Sequence, residues 1–110
     1  MAESSQEIRK LLVVEDDLGL QRQIKWCFEG YEVVTADSRE TALAAVRRHE
    51  PAVVLQDLGL PPDPNGVDEG FACLRDILQL APHTKIVVMT GNGERDNAVK
   101  AIGLGAWDFY

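Results

Sequence analysis

Short apolar runs alternate along this chain with longer stretches in which apolar residues return every three or four positions, and Gly, Pro, Asp or Ser marks most junctions. The runs are too short for helices and too continuously apolar for strands covered on one side, so they predict strands buried on both faces. Residues 10–14 form the first strand. Asp17 is placed to cap a helix over 18–28, whose Leu20, Ile24, Cys27 and Phe28 share one face, and Gly30 stops it. A second strand covers 31–36. Ser38, with Glu40 and Thr41, then opens a helix that buries Ala42, Leu43, Ala45 and Val46 and ends by His49 and Pro51. The third strand, Val-Val-Leu-Gln-Asp at 53–57, is the one around which the rest is organised. A Pro- and Gly-rich loop at 59–70 leads to a helix over about 69–80, closed by Pro82. Strand 85–90 follows, then the tight Gly91-Asn92-Gly93 loop and a helix over 96–104 bearing Ala98, Val99, Ala101 and Ile102. A fifth strand is predicted at 107–110.

Strand and helix alternate throughout, with no repeat and no low-complexity linker. That order predicts one α/β domain: a doubly wound parallel sheet with right-handed crossovers and helices on both faces. Such a sheet needs a covering helix after its last strand, so the 110 residues are expected to be a fragment that stops before it.

Composition narrows the function. Eighteen acidic residues against eleven basic give a net charge of -7, which disfavours direct contact with nucleic acid and suits a cation or a basic partner. The start of the chain lacks the features of a signal peptide, and no apolar run approaches the ~20 residues of a membrane span, so a cytoplasmic domain without membrane contact is expected. Cys27 and Cys73 lack the spacing of a zinc or redox pair and are read as free thiols in or near the core.

The chemistry lies in carboxylates. Asp57 ends the third strand, and Glu15, Asp16 and Asp17 follow the first, at the strand ends where open α/β sheets place their sites. With Asp17 used as a helix cap, Glu15, Asp16 and Asp57 form a cluster that repels itself unless a cation or protons intervene. A solvated acidic turn is the plainer alternative, since helix starts favour acidic residues.

Four segments carry a resemblance: Leu12 with Val13, Val14, Glu15, Asp16 and Asp17; 54–61, which includes Asp57, Gly59 and Pro61; 87–91; and 101–109. In this order and spacing they resemble the receiver domain of bacterial two-component response regulators over nearly the whole chain. Residues 21–26, 29–34 and 61–66 further resemble the receivers of PEP-CTERM-box response regulator transcription factors, in which an AAA+ ATPase and a helix-turn-helix domain follow. The resemblance implies a flavodoxin-like (CheY-like) five-stranded sheet of order 2-1-3-4-5. It implies that Asp57 accepts a phosphoryl group from a sensor histidine kinase and switches a transcription-activating output. Mg2+ is the implied cofactor, held by Asp57, by Asp16 directly, by Glu15 through water and by the Gly59 carbonyl. Thr90 would hydrogen-bond the phosphoryl group, and Gly91 is small enough for its N–H to approach an oxygen. Homodimerisation on activation is implied, with DNA reached only through an output domain outside this chain.

Two departures stand out: the 61–70 loop is longer than the family's usual connection, and the family's lysine after the fifth strand would fall beyond Tyr110. On that expectation the fragment is impaired as a switch. Three other readings compete. A haloacid-dehalogenase-type phosphatase would need a second Asp where Gly59 stands. A dinucleotide-binding domain has only the partial glycine pattern at 91–96 in its favour. A degenerate receiver serving solely as a dimerisation or interaction module is opposed by the presence of Glu15, Asp16, Asp57 and Thr90 together.

Overall fold

The computed structural model describes residues 9–62, 66–89 and 95–109, and every structural statement below refers to these. β1 (Lys10–Val14), β2 (Glu32–Ala36), β3 (Val53–Asp57), β4 (Lys85–Met89) and β5 (Asp108–Phe109) form one parallel sheet in the order β2-β1-β3-β4-β5. Between them run α1 (Leu18–Cys27), α2 (Arg39–His49), α3 (Asp68–Leu80) and α4 (Arg95–Gly103). The predicted fold class and strand order are those observed, with the strand and helix bounds shifted by a residue or two.

Strand alternation divides the sheet into two unlike faces. Leu12, Val14, Val54, Ile86 and Val88 point to one side, where they join Ala42, Val46, Phe71, Leu74, Ile77 and Ala101 of α2, α3 and α4 in a single buried cluster. Burial of each large member stabilises the fold by about 1.5–3 kcal/mol, so this face holds most of the core energy. Arg39 Nε, 3.2 Å from Glu69 Oε2 and 3.9 Å from Asp76 Oδ2, ties α2 to α3 across its rim.

The other face carries Leu55, Val87 and Met89, each only partly buried. With Leu20, Gln23, Ile24, Cys27 and Phe28 of α1 and its C-cap they line an open groove of about 440 Å³. Leu20 and Cys27 lie on the predicted apolar side of α1, yet both are exposed. Periodicity names the side of a helix that is apolar but not whether a neighbour covers it. Cys73 is buried as expected, and burial pushes its thiol up to about 12. Val99 and Ile102 of α4 are exposed for the same reason, and the smaller Ala98 and Ala101 meet the core.

Local signals set the helix ends. Asp17 Oδ1 accepts from the Gly19 and Leu20 N–H groups at 2.9 and 3.1 Å, while Ser38 and Thr41 form a reciprocal capping box. After α4 the chain turns at Gly105, whose φ of +116° few side chains tolerate, and enters β5.

Candidate functional site

β1 and β3 are neighbours in the sheet, with Val14 opposite Gln56, so the residues that follow them meet at its carboxyl edge. Hydrogen bonding extends past β1, since the Glu15 N–H donates to the Ala36 carbonyl at 2.9 Å. Glu15 is thereby buried, only 3% exposed, whereas Asp16 and Asp57 are half-buried. One carboxylate oxygen from each of Glu15, Asp16 and Asp57 lies within 4.8 Å of the others. The sequence-predicted cluster is therefore assembled, and Asp17 is turned away to its capping role.

Glu15 and Asp57 are held by backbone. Glu15 Oε2 accepts from the Asp17 N–H at 3.1 Å, and Asp57 Oδ1 accepts from the Gly59 N–H at 3.2 Å. Gln21, itself buried on α1, donates through Nε2 to the Glu15 carbonyl and pins the β1–α1 connection from behind. Thr90 and Gly91, the other two expected site residues, lie outside the described residues.

Crowding acids at a buried edge has an electrostatic result. Burial, aided by the nearby Asp57 and Asp16 charges, raises Glu15 from its ordinary 4.5 to about 7. Asp57 is also pushed above its usual value, chiefly by burial, although the Gly59 N–H opposes the shift. Carboxylates that resist ionising together are matched to a small divalent cation bound through oxygen, and the three oxygens on one side of a rim offer it a seat. The residues present fit Mg2+ by charge, donor type and grouping.

Because folded Glu15 holds its proton more tightly than the unfolded chain does, folding stability is greatest below its ordinary value and falls as pH rises toward about 7. The loss is on the order of 3 kcal/mol for a shift of this size. Without divalent cation the melting temperature should drop between pH 5 and 8; Glu15→Gln should flatten that slope, and Mg2+ should restore stability most at the alkaline end. A pH-independent melting temperature in the wild type would contradict the burial of a strained acid pair.

Sequence reading missed two residues here, Gln21 and Gln56. Both are buried amides, and the available signal was a glutamine standing on the inward side of an otherwise apolar strand or helix.

Comparison with known proteins agrees with the geometry. The response regulator receiver domain family matches residues 11–110. The alginate biosynthesis transcriptional regulatory protein AlgB of Pseudomonas aeruginosa is 32% identical over 111 residues, covering 99% of this chain and 24% of that protein. This chain thus spans about a quarter of that relative's length. Among solved structures, a response regulator receiver domain protein from Clostridium thermocellum is 31% identical with a TM-score of 0.82, covering 93% of this chain and 80% of that one. NtrX from Brucella abortus is also 31% identical, with a TM-score of 0.84 over 94% of this chain and 23% of that one.

Proposed function

Because this chain belongs to the response regulator receiver domain family, we propose that it is a phosphorylation switch in which Asp57 accepts the phosphoryl group. The observation that carries this reading is the convergence of Glu15, Asp16 and Asp57 within 4.8 Å at the ends of two adjacent parallel strands. Transfer onto Asp57 forms a bond from a carboxylate oxygen to phosphorus and breaks the bond to the donor, which departs with its electron pair. A carboxylate is already an anion, so this attack needs no general base; it needs relief from charge repulsion. Bound Mg2+ supplies that neutralisation.

Asp57, Asp16 and the Gly59 carbonyl would hold the cation directly, and Glu15 would hold it through water. Glu15 is suited to the outer role because it is the most deeply buried of the three acids, whereas Asp16 and Asp57 are half-buried. The Thr90 hydroxyl and Gly91 N–H are proposed to contact the phosphoryl oxygens. A sensor histidine kinase is the proposed donor in the cytoplasm, with homodimerisation on activation. Net charge -7 argues against this domain touching DNA, so a transcriptional effect would pass through a separate output domain. No helix among the described residues is long and apolar enough to cross a membrane.

The test is incubation with acetyl phosphate and Mg2+, read by intact mass. A gain of one phosphoryl group is expected, and none when a chelator is present from the start; no gain at any Mg2+ concentration would refute the reading. The ligand roles predict a graded response. Asp16→Ala should weaken Mg2+ binding by more than about 10-fold, and Glu15→Ala should weaken it less, because removing a group that acts through water costs less than removing a direct ligand. Equal losses, measured by titration of amide resonances, would reject this division.

A further inference from the structure

Among the described residues only Glu15, Gln21 and Gln56 are buried polar or charged side chains, and all three lie at the acid pocket or directly behind it. Glu15 belongs to the cluster and Gln21 holds its carbonyl, which leaves Gln56 without a place in the chemistry above. It is 0% exposed in β3, in register with Val14 of β1 and Val88 of β4. Its Nε2 donates to the Gly70 carbonyl at 2.7 Å and more weakly to the Asp57 carbonyl at 3.3 Å. No group among the described residues donates to its Oε1. The reverse amide orientation would set oxygen against carbonyl oxygen, so the assignment follows from the partners.

An apolar side chain of similar size would forgo these bonds but also remove the unsatisfied oxygen, and the Gly70 carbonyl, in the first turn of α3, keeps the helical N–H four residues on as its donor, so the net cost to stability is small. Stability therefore does not explain a glutamine here. Position does. The amide joins the strand end that bears Asp57 to the first turn of α3, where the two backbones approach closely: a Cβ on Gly70 would stand 2.3 Å from the Leu58 carbonyl oxygen. Residues 57–59 rest on that turn, and the Gly59 N–H returns to Asp57 Oδ1.

We propose that Gln56 is a positioning residue for the acid pocket: its amide, bonded to the Gly70 carbonyl, fixes the backbone of 57–59 against α3 and so sets the Asp57 carboxylate and the Gly59 carbonyl for the cation. The proposal rests on the reading of Asp57 as phosphoacceptor. Gln56→Met keeps length and bulk but removes the donor, and Gln56→Leu is a second variant of similar size. Mg2+ is titrated into each phosphate-free protein while the Gly59 and Gly70 amide resonances are followed, with melting temperatures measured in parallel.

Both variants should melt within about 3 °C of the wild type or above it. Their Mg2+ midpoint should rise by about 10-fold, the low end of what loss of an orienting partner costs a metal site, and the Gly70 resonance should move even without metal. Wild-type midpoints in stable variants would overturn the proposal, leaving Gln56 as core filling. Unfolding of both variants would overturn it too, making the residue structural. Acetyl phosphate labelling of the wild type separates the two readings: no labelling alongside a shifted midpoint would refute the phosphoacceptor and retain the positioning role at a cation site.

Discussion

Asp57→Asn is expected to abolish phosphoryl uptake without disturbing the fold. Asparagine has the same shape, and its Oδ1 can still accept from the Gly59 N–H that meets Asp57 at 3.2 Å. An amide oxygen, however, is not a nucleophile toward phosphorus under these conditions, so no acyl phosphate forms. The same change removes a charge whose ionisation burial already opposes. In the absence of divalent cation the variant should therefore melt at or above the wild-type temperature, and its response to added Mg2+ should shrink. Intact mass and thermal melting read both consequences on one sample. Undiminished labelling in a folded Asn variant would move the acceptor elsewhere.

Gly70→Ala should strongly destabilise the fold. The new Cβ would meet the Leu58 carbonyl oxygen at 2.3 Å, its Cα at 2.5 Å and its carbonyl carbon at 2.7 Å. All three are backbone atoms, so no side-chain rotation relieves the overlap; either α3 lifts from β3 or the 57–59 segment is pushed aside. Overpacking of this kind costs about 3 kcal/mol or more, equivalent to a fall of roughly 10–20 °C in melting temperature for a domain of this size. Mg2+ affinity should fall with it, because the displaced segment carries Asp57 and Gly59. A variant that melts within about 2 °C of the wild type would show that the contact between α3 and β3 is looser than described.

Much of this arrangement was legible in the sequence because it rests on short-range signals. The apolar runs at 10–14 and 53–57 specified strands, of which β1 is buried on both faces while β3 alternates buried with partly buried positions, and Asp17 and Ser38 marked helix starts through caps whose hydrogen bonds are seen. The pairing of Glu15 and Asp16 with Asp57 was legible because two such runs each ended in acid, and adjacent parallel strands bring those ends together. What stayed hidden depends on tertiary neighbours. The exposure of Leu20 and Cys27 follows from how the α1 face of the sheet is covered, which periodicity does not encode. Gln56 was visible as a letter within Val-Val-Leu-Gln-Asp, but its partner, the Gly70 carbonyl, lies fourteen residues away along the chain. Gly70 stands where the predicted loop and the predicted helix overlap; in the structure it lies in the first turn of α3, where its missing side chain lets the helix touch the segment that follows β3. Such contacts are fixed by backbone approach, and no local pattern announces them.

The central claim is that Asp57 carries the phosphoryl group, and the most direct test locates the acyl phosphate itself. The wild-type chain is treated with acetyl phosphate and Mg2+, reduced with borohydride to convert an acyl phosphate into a stable alcohol, digested and sequenced by tandem mass spectrometry. The reduced residue is expected at Asp57 and nowhere else, and only when Mg2+ is present. Reduction mapped to Glu15, Asp16 or a carboxylate outside the pocket, or labelling indifferent to Mg2+, would contradict the assignment.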